Sequence, residues 1–113
     1  MLAYLGVDFE DVKYDVTYDE DSQSWDRSQW TSVKFNLGLE FPNLPYLFDG
    51  ETKITETVGI MRYLAKKHDS TLLGKTAAEL GRIEMLWDTV SNLKAKCTFP
   101  AYMGEKDGEE LKD

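Results

Sequence analysis

Cysteine is almost missing from this sequence. Cys97 stands alone, and one thiol makes no internal disulfide, no CxxC redox pair and no multi-cysteine zinc site. Basic residues are also scarce, 13 against 21 acidic ones, which leaves a formal charge of −8. That surface repels polyanions, so no nucleic-acid partner is expected. Long apolar runs are lacking too. No stretch approaches the ~18 residues of a membrane-spanning helix, and Met1-Leu2-Ala3-Tyr4-Leu5-Gly6 has neither the basic flank nor the length of a secretory signal. No membrane partner is expected, and a cytoplasmic location is the default. The acidic run Asp19 to Asp26 reads as a solvated loop, so no metal ligands are assigned.

What is present is ordinary globular composition. The chain has 113 residues, 42% hydrophobic and 30% charged, enough for one domain if its elements are complete. Met1 to Leu5 reads as the last turn of a helix stopped by Gly6. A single turn does not nucleate by itself, so something upstream is expected to be missing. Val12, Tyr14, Val16 and Tyr18 recur with period two, which predicts a strand with one buried face. Arg27 to Phe35 reads as a short helix broken by Gly38. Phe41 to Gly50 reads as an extended lead-in, a strand and a turn at Asp49-Gly50, with Lys53 and Ile54 opening the return strand.

From Thr57 to His68 the period becomes helical, with an apolar stripe of Ile60, Met61, Leu64 and Ala65. Arg62, Lys66, Lys67 and His68 lie toward its C-terminal part, where positive charge suits the helix dipole. Asp69 to Gly74 reads as a linker. Thr76 and Glu79 have capping-box spacing at the start of a second helix. Leu80, Ile83, Trp87, Val90, Leu93 and Cys97 keep its period until Pro100, which is expected to close it. Trp87 and Met85 are expected in a core, with Cys97 on a packed face. The charged, glycine-containing end after Tyr102 shows no structural stop. The element run predicts an α/β unit joined to the beginning of an all-α one.

Several motifs, in order, carry a resemblance. Asp26-Arg27-Ser28-Gln29-Trp30, Lys34-Phe35-Asn36-Leu37-Gly38-Leu39, Phe41-Pro42-Asn43-Leu44-Pro45-Tyr46, Lys53-Ile54-Thr55 and Ile60 to His68 together resemble mu-class glutathione S-transferases. The resemblance covers residues 1 to 75 well and residues 76 to 113 loosely. It implies an incomplete thioredoxin-like glutathione-binding domain over residues 1–69 and the start of the helical domain over residues 75–113. It further implies a cytoplasmic homodimer that conjugates glutathione, a co-substrate and not a cofactor, to hydrophobic electrophiles through an activated thiolate.

The resemblance also implies site residues. Asn43, Leu44 and Pro45 correspond to the loop whose backbone pairs with the cysteinyl part of glutathione, a short form of strand addition; the plain alternative is a bend before a strand. Glu56 and Thr57 stand where the family commonly has Gln-Ser. They would take the γ-glutamyl ammonium and carboxylate at a helix N-terminus, or simply cap that helix. Trp30 and Lys34, one helical turn apart, would hold the glycyl carboxylate, or else pack and solvate. Phe41 matches an aromatic key to the partner subunit, and Arg62 an arginine at the dimer axis.

No catalytic residue is assigned. The family begins with a strand and a Gly-Tyr-Trp-like segment whose tyrosine activates the thiol, and none of the six tyrosines here stands in that context. The expectation is a truncated chain, lacking that strand and most of the helical domain. The missing strand would lie inside the sheet, between Val12–Tyr18 and the hairpin. The chain alone is therefore expected to be inactive and poorly folded. Thr98 stands in place of a mu-class tyrosine, and the helix between Arg82 and Cys97 is about one turn short of the family pattern, so no partner aspartate is carried over. The alternative function is a non-catalytic glutathione-binding or dimerisation module. A thiol-redox role is a weaker third.

Overall fold

Chain periodicity and turn chemistry account for most of the elements in the computed structural model, which describes residues 1–103. In order they are α1 (Leu2–Leu5), β1 (Thr17–Asp19), β2 (Ser24–Asp26), α2 (Ser28–Thr31), β3 (Tyr46–Asp49), β4 (Thr52–Thr55), α3 (Thr57–His68), a 3-10 turn (Ser70–Leu73) and α4 (Ala77–Met103). The chain divides into two units, Met1–Asp69 and the part from Ser70 onward. The charged end expected after Tyr102 falls largely outside the described residues.

In the first unit, α1 stops as its sequence predicts. Gly6 takes the left-handed conformation at φ 64°, and its N–H donates back to the Ala3 carbonyl at 3.3 Å. The strand expected over Val12–Tyr18 does not form as such. Only Thr17–Asp19 pairs, and it pairs forward with Ser24–Asp26 in an antiparallel ribbon. The physical reason is that residues 12–16 have no neighbouring strand among the described residues, and extended backbone without a ladder is not sheet. Val12 and Val16 accordingly remain about half exposed, at 52% and 51%.

The acidic segment read as a loop is instead the tip and second strand of this ribbon. Tyr18 and Trp25 sit opposite each other, their rings 5.0 Å apart edge to face, a cross-strand pair that favours the ribbon. At the tip, Asp19 accepts from the Asp21 N–H at 3.0 Å and the Ser22 hydroxyl at 2.7 Å. These bonds hold its carboxyl below the ordinary range, the Ser22 hydroxyl contributing most.

The expected helix from Arg27 to Phe35 contracts to Ser28–Thr31, followed by turns as far as Asn36. A single turn survives because it is tied at its start. Asp26 accepts the Ser28 N–H at 2.8 Å, a bond that lowers the Asp26 pKa, and Gln29 accepts the Asp15 N–H at 2.9 Å.

β3 and β4 form the second ribbon, in register Tyr46↔Thr55 to Asp49↔Thr52, so the two-residue turn is Gly50-Glu51, one place later than expected. Asp49 is the last paired residue and not a turn residue. Its carboxylate accepts from the Tyr63 hydroxyl at 2.8 Å and pairs with the Lys67 ammonium, tying the hairpin to α3. α3 spans the predicted residues, and Leu64 and Ala65 are its buried positions. Together with Leu39 they are the buried apolar residues among those described. Burying each leucine contributes about 1.5–3 kcal/mol, a small core for a unit of this length.

Where a fuller core would lie there is a trough of about 980 Å³ between residues 7–14 and β3. Tyr14 and Tyr46 bridge it with a 2.8 Å hydroxyl–hydroxyl bond.

In the second unit, Gly74 is at φ 83°, and a Cβ there would come within 2.9 Å of the Leu80 backbone nitrogen, so no other residue fits without movement. The capping box is half made as expected. Thr76 Oγ1 accepts the Glu79 N–H at 3.2 Å, but Glu79 Oε2 reaches back to the Lys75 N–H at 2.6 Å. α4 does not end at Pro100; it continues to Met103, because one absent N–H removes one rung and not the helix. The burial expected of Met85, Trp87 and Cys97 is not found among the described residues. Met85 is 60% exposed, Trp87 38%, and Cys97 lies on an open face. Periodicity identifies a face but cannot say whether anything covers it.

Candidate functional site

The predicted binding residues all belong to the first unit, and one aromatic cluster organises them. The Trp30 ring stacks on Tyr46 at 6.1 Å and 16°, and lies 5.3 Å from Tyr14 at a tilt. Tyr46 in turn contacts Phe48 at 5.0 Å. Tyr46 directly follows Pro45, so the α2 turn carrying Trp30 is held against the end of the Asn43-Leu44-Pro45 loop. Lys34 follows one turn later, its N–H donating to the Trp30 carbonyl at 2.9 Å. Its ammonium lies 5.3 Å from the Phe35 ring, on the flank of this cluster.

The loop continues into a second group. Leu44-Pro45 is a cis peptide. Asn43 does two things: its Oδ1 accepts the Leu44 N–H at 2.9 Å, and its Nδ2 donates to Glu56 Oε1 at 3.0 Å. Glu56 therefore sits beside the loop although 13 residues separate it from Asn43.

Glu56 adopts φ 70°, ψ 124°. Such a backbone is unfavourable for a side-chain-bearing residue, by on the order of 1–3 kcal/mol, and strain of this kind clusters at functional sites. No side chain caps α3, so the donors of its first turn, from Thr57 on, face outward at the positive end of the helix dipole. Glu56, Thr57, Asn43, Leu44 and Pro45 are all exposed, while Trp30 and Lys34 are partly buried.

The structure thus joins six of the predicted residues into one rim, from Trp30 through Pro45, Leu44 and Asn43 to Glu56 and Thr57, with Lys34 beside Trp30. The rim offers an indole N–H, an ammonium, backbone donors at a helix start, and a carboxylate with one oxygen already engaged. It suits an extended, zwitterionic, peptide-like molecule. Phe41 is 68% exposed, two residues before Asn43, and Arg62 is exposed on α3.

Sequence reasoning missed the organising role of Tyr14 and Tyr46. The hydrogen bond with Tyr14, then burial, push the Tyr46 hydroxyl up to about 12. The signal available was the period-two placement of Tyr14 and the adjacency of Tyr46 to Pro45.

Comparison with known proteins defines the class. The description "Glutathione S-transferase, N-terminal domain" fits residues 1–66, so the chain belongs to the glutathione S-transferase family, with its thioredoxin-like α/β region followed by a helix. More narrowly, the relatives are mu-class. The chain is similar to glutathione S-transferase Mu 2 of Mus musculus, 44% identical over 110 residues, and this covers 94% of the chain and 48% of the relative. It is similar also to glutathione S-transferase Mu 1 of Bos taurus, 40% identical over 112 residues, covering 99% and 48%. Among solved structures it resembles the crystal structure of the glutathione S-transferase Blo t 8, at TM-score 0.80 and 33% identity, over 98% of this chain and 47% of that one. The chain spans about half the length of the curated relatives it matches. Among the described residues no helix is long and apolar enough to cross a membrane.

Proposed function

We propose that these 113 residues carry a glutathione-binding half-site, and that the complete protein is a cytoplasmic, homodimeric mu-class transferase. It would conjugate glutathione to hydrophobic electrophiles. Trp30 N–H and Lys34 take the glycyl carboxylate. The Leu44 backbone pairs with the cysteinyl residue, once the Asn43 side chain releases its N–H. Glu56 accepts from the γ-glutamyl ammonium, and Thr57 meets the carboxylate at the start of α3. Phe41 and Arg62 belong to the dimer surface.

The observation that carries this reading is the continuous rim from Trp30 to Thr57, closed by the 3.0 Å Asn43–Glu56 bond across 13 residues. A charged peptide needs donors and acceptors at its two ends, and this rim supplies them in that order.

The chain itself binds without activating the thiol. Lowering a thiol pKa takes a hydrogen bond or positive charge aimed at sulfur. Of the tyrosines nearest the rim, Tyr14 and Tyr46 spend their hydroxyls on each other. That bond favours the second reading for this stretch alone: a non-catalytic glutathione-binding or dimerisation module.

Binding is tested by isothermal titration of glutathione into the chain. Saturable heat that weakens about tenfold or more in Trp30→Ala, from the loss of a charge-assisted donor, is the expected result. Absence of binding in a folded chain sinks the half-site. Conjugation assayed with the same chain is expected to match the buffer rate, and turnover above it would overturn the account of the thiol.

A further inference from the structure

The Asn43 side chain does more than join two ends of the rim. The hairpin already brings Glu56 to the loop: Tyr46 is opposite Thr55 in the ladder, so one step further Pro45 faces Glu56. The 3.0 Å bond from Asn43 Nδ2 to Glu56 Oε1 is therefore not needed to bring the two segments together. What it fixes is the plane of the Asn43 amide. Resonance keeps an amide flat, so tying its nitrogen aims its oxygen, and Oδ1 sits on the Leu44 N–H at 2.9 Å.

We infer that Asn43 is an intramolecular latch on the peptide-binding edge. Its side-chain carbonyl occupies the backbone donor that an incoming peptide carbonyl requires, and Glu56 holds the latch shut. This rests on the glutathione reading of the rim, and adds that the free chain competes with its own ligand. Strand addition takes main-chain donors and acceptors. Pro45 has no N–H to offer, so Leu44 carries the last such donor before β3.

The contest is close to even in hydrogen bonds. A ligand carbonyl replaces Oδ1 on the Leu44 N–H, one neutral bond for another, so this contact adds little net affinity while Asn43 is present. The ammonium proposed for Glu56 competes with Asn43 Nδ2 for the same carboxylate. A charge-assisted bond is the stronger of the two, so the ligand itself loosens the tether that aims the latch.

Hydrogen exchange at the Leu44 amide, followed by nuclear magnetic resonance on the full chain without ligand, reads the latch. One neutral bond is expected to protect this amide about fivefold over the free-peptide rate. The protection is expected to vanish in Asn43→Ala, and to shrink in Glu56→Ala, which keeps Oδ1 but frees the amide to turn. Free-peptide exchange in the parent overturns the latch, and so does full protection retained in Asn43→Ala.

Isothermal titration of glutathione gives the sign. A residue that only scaffolds the rim or touches the ligand weakens binding when it is removed. The latch predicts the opposite: Asn43→Ala binds glutathione about fivefold tighter, because the ligand gains the Leu44 bond without displacing another. A misfolded variant does not produce such a gain. Weaker or unchanged binding in Asn43→Ala overturns the latch and leaves the half-site standing, whereas a folded parent that binds no glutathione removes both.

Discussion

The two helices that follow the hairpin differ instructively. α3 and α4 both show an apolar stripe in the sequence, yet Leu64 and Ala65 of α3 are almost fully buried, at 3% and 1%, while Trp87, the large aromatic of α4, is 38% exposed. The difference does not lie in the helices. α3 has the β3–β4 hairpin to pack on, held by the Asp49–Lys67 pair and the Tyr63–Asp49 bond. α4 has beside it, within its own unit, the short Ser70–Leu73 turn. An amphipathic pattern is a demand for cover, and the topology decides whether the demand is met.

The sharpest way to break this comparison is to shorten one side chain on each helix. Leu64→Ala is expected to destabilise the first unit by about 2–5 kcal/mol, enough to abolish cooperative urea unfolding in a unit with so small a core. Met85→Ala on α4 is expected to stay within about 0.5 kcal/mol, as exposed substitutions usually do. Equal effects in urea melts followed by circular dichroism would show that α4 is covered in solution or that Leu64 is not.

Much of this was legible in the sequence, and the gaps have physical causes. α3, the hairpin strands, the Gly6 stop and the Thr76–Glu79 cap follow from local rules: period, turn residues and helix-end donors. The motifs also pointed to the family. Three features were not legible because they depend on what lies beside the chain. The alternation from Val12 to Tyr18 is a strand pattern, but no neighbouring strand pairs with residues 12–16. The pairing of Tyr18 with Trp25 turned an acidic segment into a ribbon, which charge counting does not foresee. The run from Leu80 to Cys97 predicts a buried face only if something is present to bury it. At the site, the residue types were readable, while the Asn43–Glu56 bond and the Trp30–Tyr46 stack needed the fold.

A smaller effect probes how the trough is bridged. Tyr14→Phe removes the 2.8 Å bond to Tyr46, a change of about 1 kcal/mol. The clearer readout is titration. The Tyr46 hydroxyl, held up at about 12 by Tyr14, is expected to fall toward the ordinary tyrosine value in the variant, followed by ultraviolet difference absorbance. The sign for stability follows from proton binding. Between pH 10 and about 12 the folded state keeps a proton on Tyr46 that the unfolded state loses, so stability declines across that window. In Tyr14→Phe this decline is expected to flatten. A Tyr46 midpoint that does not move would mean that the two hydroxyls are not bonded in solution.

The smallest expected effect concerns the tie that gives α3 its partner. The Lys67 ammonium, then the Tyr63 hydroxyl, hold the Asp49 carboxyl below its ordinary value of 3.8, while Asp49 raises Lys67 above 10.5. Because the Asp49 value is depressed on folding, its contribution is present above about pH 4 and is lost as pH falls through the lowered value. Because the Lys67 value is raised, its contribution is present below pH 10.5 and is lost as pH rises through the higher value. Both groups are partly exposed, so solvent and salt screen the pair. Asp49→Asn keeps the shape but removes the charge. The variant is expected to lose a small part of its stability near neutral pH, and to lose this pair's share of the slope at both extremes. Urea midpoints measured from pH 3 to pH 11 in low and high salt would decide it. If parent and variant curves run parallel throughout, the hairpin is held to α3 by Leu64 packing alone, and the covered helix owes nothing to charge.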